Sequence, residues 1–222
     1  MTNIAKNLNN IRQRIARACE KSGRNVNEVS LVAVSKTVPP ELISEAIKCG
    51  ASIFGENRVQ EFREKYPLFP DSEWHIIGHL QTNKVKYAVG KASLIHSVDS
   101  LHLAEAIDVC AQKMGVIQNI LLEVNISGEE SKYGLTLSEI PTIIKDIKNL
   151  KNISFKGFMT MAPKEATEEE IRSVFGRARS LFEEYVPLGA TVLSMGMSGD
   201  FEIAVEEGAT HVRVGSSIFK EI

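Results

Sequence analysis

Short apolar runs alternate along the chain with segments in which apolar residues recur every three or four positions. Runs of the first kind, bounded by turn residues, predict strands buried on both faces, and segments of the second kind predict helices. The eight predicted strands cover 29–35, 51–57, 74–78, 93–98, 119–126, 153–161, 191–198 and 210–217. The seven predicted helices between them cover 40–50, 58–66, 81–90, 100–114, 137–149, 168–185 and 199–208.

A further helix is predicted ahead of the first strand, within residues 1–23. Its apolar positions recur at helical spacing and form one stripe that can pack on a larger body: Ile4, Leu8, Ile11, Ile15 and Ala18. This stretch is also basic and poor in acidic residues before Glu20, so a transit peptide is the alternative interpretation. The regular stripe favours a permanent leading helix packed on the domain.

Eight strands alternating with helices indicate a parallel sheet, and eight is the number that closes a barrel. An open doubly wound sheet is the alternative, but no GxGxxG sequence follows the first strand as a dinucleotide site requires. The last strand lies close to residue 222, which leaves little chain for a second domain. We therefore expect an α/β fold, a single-domain (β/α)8 TIM barrel over 1–222 with an extra N-terminal helix.

Composition excludes several classes of function. The hydrophobic fraction of 43% and the charged fraction of 24% are typical of a soluble globular domain. A formal net charge of −2 gives no general attraction to nucleic acid or to an anionic membrane, and no apolar run is long enough to span one. Three widely spaced cysteines without a CxxC pair favour the reducing cytoplasm, and the five histidines form no metal-binding motif.

Lys36 ends the apolar run Leu31-Val32-Ala33-Val34. Since side chains alternate along a strand, Lys36 shares a face with Val32 and Val34. A strand-end lysine commonly reaches into water. However, the C-terminal strand ends of a barrel form its active site, where a lysine shielded from water can form a Schiff base with an aldehyde.

The last two predicted strands end in the glycine–serine sequences MSGD and VGSS. Barrels often hold a phosphate in the loops after these two strands, since glycines let the backbone approach an anion and serines add hydroxyl donors. Asp200 is expected to cap the following helix. Arg213 shares a strand face with His211 and Gly215, so it either reaches the barrel mouth or forms a buried ion pair with a strand-end acid.

A phosphate site opposite a reactive lysine narrows the class of ligand. A phosphorylated aldehyde would engage both groups, and pyridoxal 5′-phosphate (PLP) is the common cofactor of this kind. The lysine after the first strand and the glycine–serine turns after the last two strands therefore favour PLP as the ligand.

Seven blocks in order carry a resemblance to a known family: SLVAVSKTVPPELI, GENRVQEF, WHIIGHLQTNK, IHSVDSLHLA, LLEVNISGEESKYGL, FKGFMTMAP and LSMGMSGDFEIAVEEGATHVRVGSSIF. They resemble the PLP homeostasis protein family, a single-domain relative of the alanine racemase N-terminal barrel. The resemblance extends from about residue 30 to residue 219. It implies a (β/α)8 barrel that holds PLP as an internal aldimine.

The resemblance also implies the residues that contact the cofactor. Lys36 is the aldimine lysine, Asn57 lies beside the cofactor, and Arg213 faces the pyridine nitrogen. The phosphate is held by the two turns that contain Met197, Ser198, Gly215 and Ser216. Two positions depart from the family pattern, Gly199 where relatives often have an acidic residue and Lys220 where glycine is frequent, and the first of them is expected to affect the phosphate turn.

The function expected is that of a cytoplasmic, monomeric PLP binder without catalytic residues or a metal. It would store or deliver the cofactor, with apo-forms of PLP enzymes as recipients, and so take part in vitamin B6 balance. The alternative is a PLP-dependent amino-acid racemase, which needs a second proton donor that racemases take from an appended domain. Tyr133, expected in a loop or lid, is the tyrosine nearest a strand end. A protein in which PLP is only structural is the third possibility.

Overall fold

Eight parallel strands close into a barrel in chain order, with β8 paired back to β1, in the computed structural model of the protein. The structure describes residues 2–128 and 133–220, so Met1, Ile222, Glu221 and 129–132 lie outside it. The strands are β1 Ser30–Val34, β2 Ile53–Glu56, β3 Glu73–Ile76, β4 Leu94–Val98, β5 Gln118–Glu123, β6 Ile153–Met159, β7 Val192–Ser194 and β8 His211–Val214. The predicted (β/α)8 barrel is confirmed, with strands shorter than the apolar runs suggested.

The α-helices of the described ranges are α1 Asn3–Ser22, α2 Pro40–Lys48, α3 Val59–Lys65, α4 Leu101–Met114, α5 Ile140–Ile147, α6 Glu168–Tyr185, α7 Phe201–Glu206 and α8 Ser216–Phe219. The prediction of an α-helix over 81–90 was wrong, because Thr82–Tyr87 forms a 3₁₀ helix there. Only Val85 of this segment is buried, and its threonine, asparagine, valine and tyrosine have weak α-helix propensity. The short α8 was not predicted.

Local sequence signals determine where the longer helices begin and end. At the start of α6, Thr167 and Glu170 form a reciprocal capping box, in which each side chain accepts a hydrogen bond from the other residue's backbone. Gly23 ends α1 in the left-handed conformation, with φ of 69°, and its N–H bonds back to the last turn. These signals explain why the predicted bounds of α6 agree with the structure.

The leading helix α1 packs on the outside of the barrel against α7, α8 and α2. All five residues of its predicted apolar stripe are buried. Asn7 donates a 3.0 Å hydrogen bond to the Ile218 carbonyl, and Arg12 donates to the carbonyls of Cys49 and Gly50. The helix therefore spans the seam where β8 meets β1, and it supports the end of the chain that forms α8.

The buried apolar residues form two separate clusters. The larger one lies between strands and helices and includes Phe54 and Trp74, both fully buried with ring centroids 5.4 Å apart. A smaller cluster of Leu94, Leu121 and Met159 forms a separate buried group. No helix within the described ranges is both long and apolar enough to cross a membrane.

Candidate functional site

A cavity of about 510 Å³ opens at the carboxyl ends of the strands. It is lined by every residue that the sequence singled out for the cofactor: Lys36, Asn57, Met197, Ser198, Arg213, Gly215 and Ser216. Barrel closure explains the convergence, because parallel strands bring all their carboxyl ends to one face. The structure thus places the seven residues together, while their contact with a cofactor stays a prediction.

Lys36 lies in a turn that directly follows β1. Val34 also lines the cavity, as expected from the alternation of side chains along the strand. The next residue, Thr37, has φ of 60°, and it is the one residue other than glycine with positive φ in the described ranges. This conformation is unfavourable for a β-branched residue, so the turn that presents Lys36 is held against local strain.

Asn57 reaches the cavity because the residue packed against its backbone, in the segment after β3, is a glycine, Gly78. A Cβ atom added to Gly78 would lie 2.4 Å from the Asn57 carbonyl oxygen, a distance that no side chain tolerates. Both residues line the cavity. Glycine at position 78 therefore permits the close approach that brings Asn57 to the wall.

The glycine–serine turns after the neighbouring strands β7 and β8 contact each other at the barrel mouth. Ser216 Oγ lies 3.1 Å from Ser198 Oγ, which also accepts a hydrogen bond from the Gly215 N–H at 3.4 Å. The expectation that Asp200 caps α7 was wrong: its carboxylate accepts a 2.5 Å hydrogen bond from the Met197 N–H and makes no side-chain cap to the helix. Asp200 thereby closes the turn that carries Ser198.

Arg213 lies at the floor of the cavity and is almost completely buried. Its guanidinium donates to Ser194 Oγ at 2.6 Å and to the Thr160 carbonyl at 3.1 Å. Burial lowers the pKa of Arg213 to about 10, although the charges of Asp200 and Glu123 oppose this. Arg213 makes no ion pair within 2–128 and 133–220, so the alternative of a buried salt bridge does not hold there.

A chain of hydrogen bonds runs from Arg213 through the inside of the barrel. Ser194 Oγ lies 3.0 Å from His96 Nδ1, and His96 Nε2 lies 3.0 Å from His75 Nδ1. His75 Nε2 is 3.0 Å from a carboxylate oxygen of Glu73, at the start of β3. Burial holds the pKa of His96 well below its ordinary value, so this imidazole is neutral. Sequence reasoning missed the chain, since its members lie on four different strands.

Glu123 is a second residue that sequence reasoning missed. It ends β5, lines the cavity and is only 5% exposed. Burial raises its pKa to about 7, with the charge of Asp99 adding to the rise and Arg213 opposing it. The predicted strand extended to 126 and so placed the strand end too far along the chain. The true end places the carboxyl group of Glu123 at the wall.

Tyr133 and His79 form the rim of the cavity. Their rings stack with centroids 4.9 Å apart, and Tyr133 is 65% exposed. His79 Nδ1 lies 3.2 Å from a carboxylate oxygen of Asp99, which follows β4. His79 therefore lies beside the opening, where its ring stacks on that of Tyr133.

Together, these features define a (β/α)8 barrel whose mouth combines a lysine, a buried arginine and two glycine–serine turns. The alanine racemase N-terminal domain family model matches residues 5–221. The pyridoxal phosphate homeostasis protein of Aquifex aeolicus is 45% identical over 224 residues, covering 99% of this chain and 98% of that protein. The chain therefore belongs to the pyridoxal phosphate homeostasis proteins, within the alanine racemase N-terminal domain family.

Solved structures agree with this assignment. PipY of Synechococcus elongatus, with PLP bound, is 35% identical, superposes with a TM-score of 0.86, and the match covers 98% of this chain and 100% of PipY. An unknown protein from Bifidobacterium adolescentis is 36% identical with a TM-score of 0.93, and the match covers 98% of this chain and 94% of that one. Both similarities extend over nearly the whole chain.

Proposed function

We propose that the protein binds PLP in the cavity at the barrel mouth and takes part in the homeostasis of this cofactor. The observation that carries the proposal is the placement of Lys36, Arg213 and the two serine turns around one cavity of about 510 Å³. A relative at 35% identity was solved with PLP bound, and the Aquifex relative bears the name PLP homeostasis protein.

The donor set of the cavity fits a phosphorylated aldehyde. Ser198 and Ser216 present adjacent hydroxyl groups, and the N–H groups of Ser198 and Gly199 make no hydrogen bond within the described part of the chain. A Cβ atom added at Gly199 would meet nothing within 4 Å, so the space in front of this turn is open. These groups would hold the phosphate, with Met197 and Gly215 forming the backbone of the two turns.

Lys36 and Arg213 would contact the part of the ligand away from its phosphate, and their roles would differ. Bound PLP supplies an aldehyde carbon to which the Lys36 amine can attach covalently. Arg213 would face the ring nitrogen, with Asn57 beside the ring. Its guanidinium offers only N–H donors and stays protonated at neutral pH, so it would not transfer a proton to that nitrogen. A site with this arginine holds the ring but does not favour demanding carbanion chemistry.

We infer a carrier without catalytic turnover, acting as a monomer in the cytoplasm and handing PLP to apo-forms of PLP enzymes. The racemase alternative rests on one observation, that Tyr133 lines the cavity. Incubation of the protein with amino acids in deuterated water separates the two functions, because a racemase would exchange the α-hydrogen and a carrier would not.

A light-scattering mass of one chain in dilute solution is expected for the monomer.

The decisive experiment measures covalent attachment. Purified protein is mixed with PLP, reduced with borohydride and digested, and the modified peptide is identified by mass spectrometry. The wild type should carry one PLP group at Lys36, Lys36→Ala should carry none, and the exposed control Lys91→Ala should behave as the wild type. An unmodified wild type would overturn the proposal.

Transfer of PLP from the loaded protein to an apo-enzyme then separates a carrier from a protein in which PLP is structural.

A further inference from the structure

We propose that Glu56, Lys65 and Glu61 are positioning residues for Lys36. They form a charge cluster on the outer side of β1 and β2, and its hydrogen bonds end on the two residues that flank Lys36. We call these three residues the clamp. The proposal rests on the proposed function, since it assigns the clamp a role in presenting the lysine that attaches PLP.

The clamp holds the residue before Lys36 by two contacts. Lys65 Nζ donates a 2.7 Å hydrogen bond to the Ser35 carbonyl oxygen, and Ser35 Oγ donates a 2.7 Å bond to Glu56 Oε1. The same Glu56 oxygen accepts from Lys65 Nζ at 2.8 Å. The end of β1 is therefore tied to α3 through the Lys65 side chain.

The clamp also holds the residue after Lys36. The Thr37 N–H donates a 2.6 Å hydrogen bond to Glu61 Oε2, and the same oxygen accepts from Lys65 Nζ at 3.1 Å. Thr37 has φ of 60°, which a β-branched residue avoids without external support. The Glu61 contact supplies such support, because it fixes the direction of the Thr37 N–H.

Burial makes this arrangement energetically demanding. The side chains of Lys65 and Glu56 are 8% and 0% exposed, and Glu56 Oε2 has no hydrogen-bond partner within the described ranges. Burial raises the pKa of Glu56, although its bonds from Lys65 and Ser35 oppose the rise. Buried ion pairs are often replaced by apolar residues without loss of stability, so stability alone does not explain the clamp.

The geometry of Lys65 points to a specific task. Its ammonium group has three protons, and they are directed at Ser35, Glu56 and Glu61, so no donor is left over. Every bond of the clamp either joins its own members or ends beside Lys36. A lysine has a long flexible stem, so fixing its backbone on both sides narrows the positions that its amine can sample.

Glu61→Ala tests the proposal most directly, because alanine retains helix propensity but cannot accept the Thr37 hydrogen bond. The readout is the rate at which borohydride-reducible PLP accumulates at Lys36. We expect this rate to fall by about tenfold or more in Glu61→Ala. Glu61→Gln, whose amide oxygen can still accept that bond, should recover most of the rate. The matched control Glu64→Ala, an exposed position on the same helix, should not change it.

A second readout needs no PLP. Competitive acetylation of the cofactor-free protein, read out by mass spectrometry, compares the reactivity of Lys36 with that of exposed lysines. We expect Glu61→Ala to change the relative reactivity of Lys36 and Glu64→Ala to leave it unchanged. Wild-type behaviour of Glu61→Ala in both assays, with Lys36 still attaching PLP, would overturn the proposal. If the wild type did not attach PLP, the proposed function would fail instead.

Hydrogen exchange of the wild-type protein keeps the proposal falsifiable if Glu61→Ala does not fold. The Thr37 N–H lies in an exposed turn and would exchange quickly without a partner. The clamp predicts an exchange rate at least about tenfold below that of an unprotected amide. An unprotected rate would show that the Glu61 contact does not persist in solution and would overturn the proposal.

Discussion

Arg213 Nη1 donates a 2.6 Å hydrogen bond to Ser194 Oγ, and this contact begins a chain of hydrogen bonds through the barrel. A guanidinium has only donors, so the Ser194 hydroxyl accepts from it and has its own proton available for His96 Nδ1. At the other end, Glu73 accepts from His75 because an ionised carboxylate has only acceptors. The hydrogen bond from His75 lowers the pKa of Glu73 and keeps it ionised.

The first prediction is that His96 and His75 both carry their proton on Nε2. His96 Nδ1 accepts from Ser194, so its Nε2–H donates to His75 Nδ1, and the His75 Nε2–H is left to donate to Glu73. Nitrogen-15 NMR of the two imidazoles should show this single tautomer at neutral pH, whereas the exposed His102 should give averaged signals. A proton on Nδ1 of either buried ring would mean that the hydrogen bonds of the chain run in another direction.

The second prediction concerns stability and pH in the cofactor-free protein. Glu123 holds its proton up to a pKa of about 7 in the folded state, while its ordinary value is 4.5. Between these values the folded chain binds a proton that the unfolded chain releases, so the free energy of unfolding falls as pH rises through this window. Above the folded-state pKa the free energy of unfolding has fallen by its full amount, about 3 kcal/mol at most.

Glu123→Gln isolates this effect because glutamine is neutral at every pH. Urea unfolding at about pH 5 and about pH 8 should show the variant gaining stability relative to the wild type at the higher pH. Glu64→Gln, at an exposed position, is the control and should follow the wild type. Parallel pH profiles for Glu123→Gln and the wild type would show that Glu123 is ionised in the fold at neutral pH.

The third prediction compares two glycines in the turns proposed to hold phosphate. A Cβ atom at Gly215 would lie 2.9 Å from the Val34 carbonyl oxygen, and neighbouring backbone has little room to move. Gly215→Ala should lower the free energy of unfolding by about 1–3 kcal/mol. Gly199→Ala should change it by less than about 0.5 kcal/mol, because its Cβ would meet nothing within 4 Å. Equal effects in thermal or urea unfolding would show that β8 can move away from β1.

The fourth prediction concerns the strained turn beside Lys36. Asparagine adopts the left-handed conformation more readily than a β-branched residue, so Thr37→Asn should raise the free energy of unfolding by about 0.5–1 kcal/mol. Thr142→Asn, at an exposed helical position, is the control and should have an effect near zero. A loss of stability in Thr37→Asn would mean that the hydroxyl of Thr37, which donates to the Lys36 carbonyl at 2.6 Å, contributes more than the strain removes.

Periodicity along the sequence was sufficient to predict the barrel, since apolar runs mark strands and three-to-four spacing marks helices. It also predicted the buried stripe of α1 and the bounds of α6. The lysine after β1 and the glycine–serine turns after β7 and β8 are local features. Alternation along a strand put Lys36 on the face of Val34 and Arg213 on the face of Gly215, and the structure shows that these faces line the cavity.

Tertiary structure alone decided which distant groups meet and which are charged. Ser35 meets Lys65, and Arg213 connects to Glu73, because closure of the barrel brings together strands that are far apart in sequence. The neutral state of His96 and the raised pKa of Glu123 follow from burial, which penalises charge and has no signature in spacing. Local patterns report a residue's neighbours along the chain, whereas desolvation and hydrogen-bond partners depend on neighbours in space.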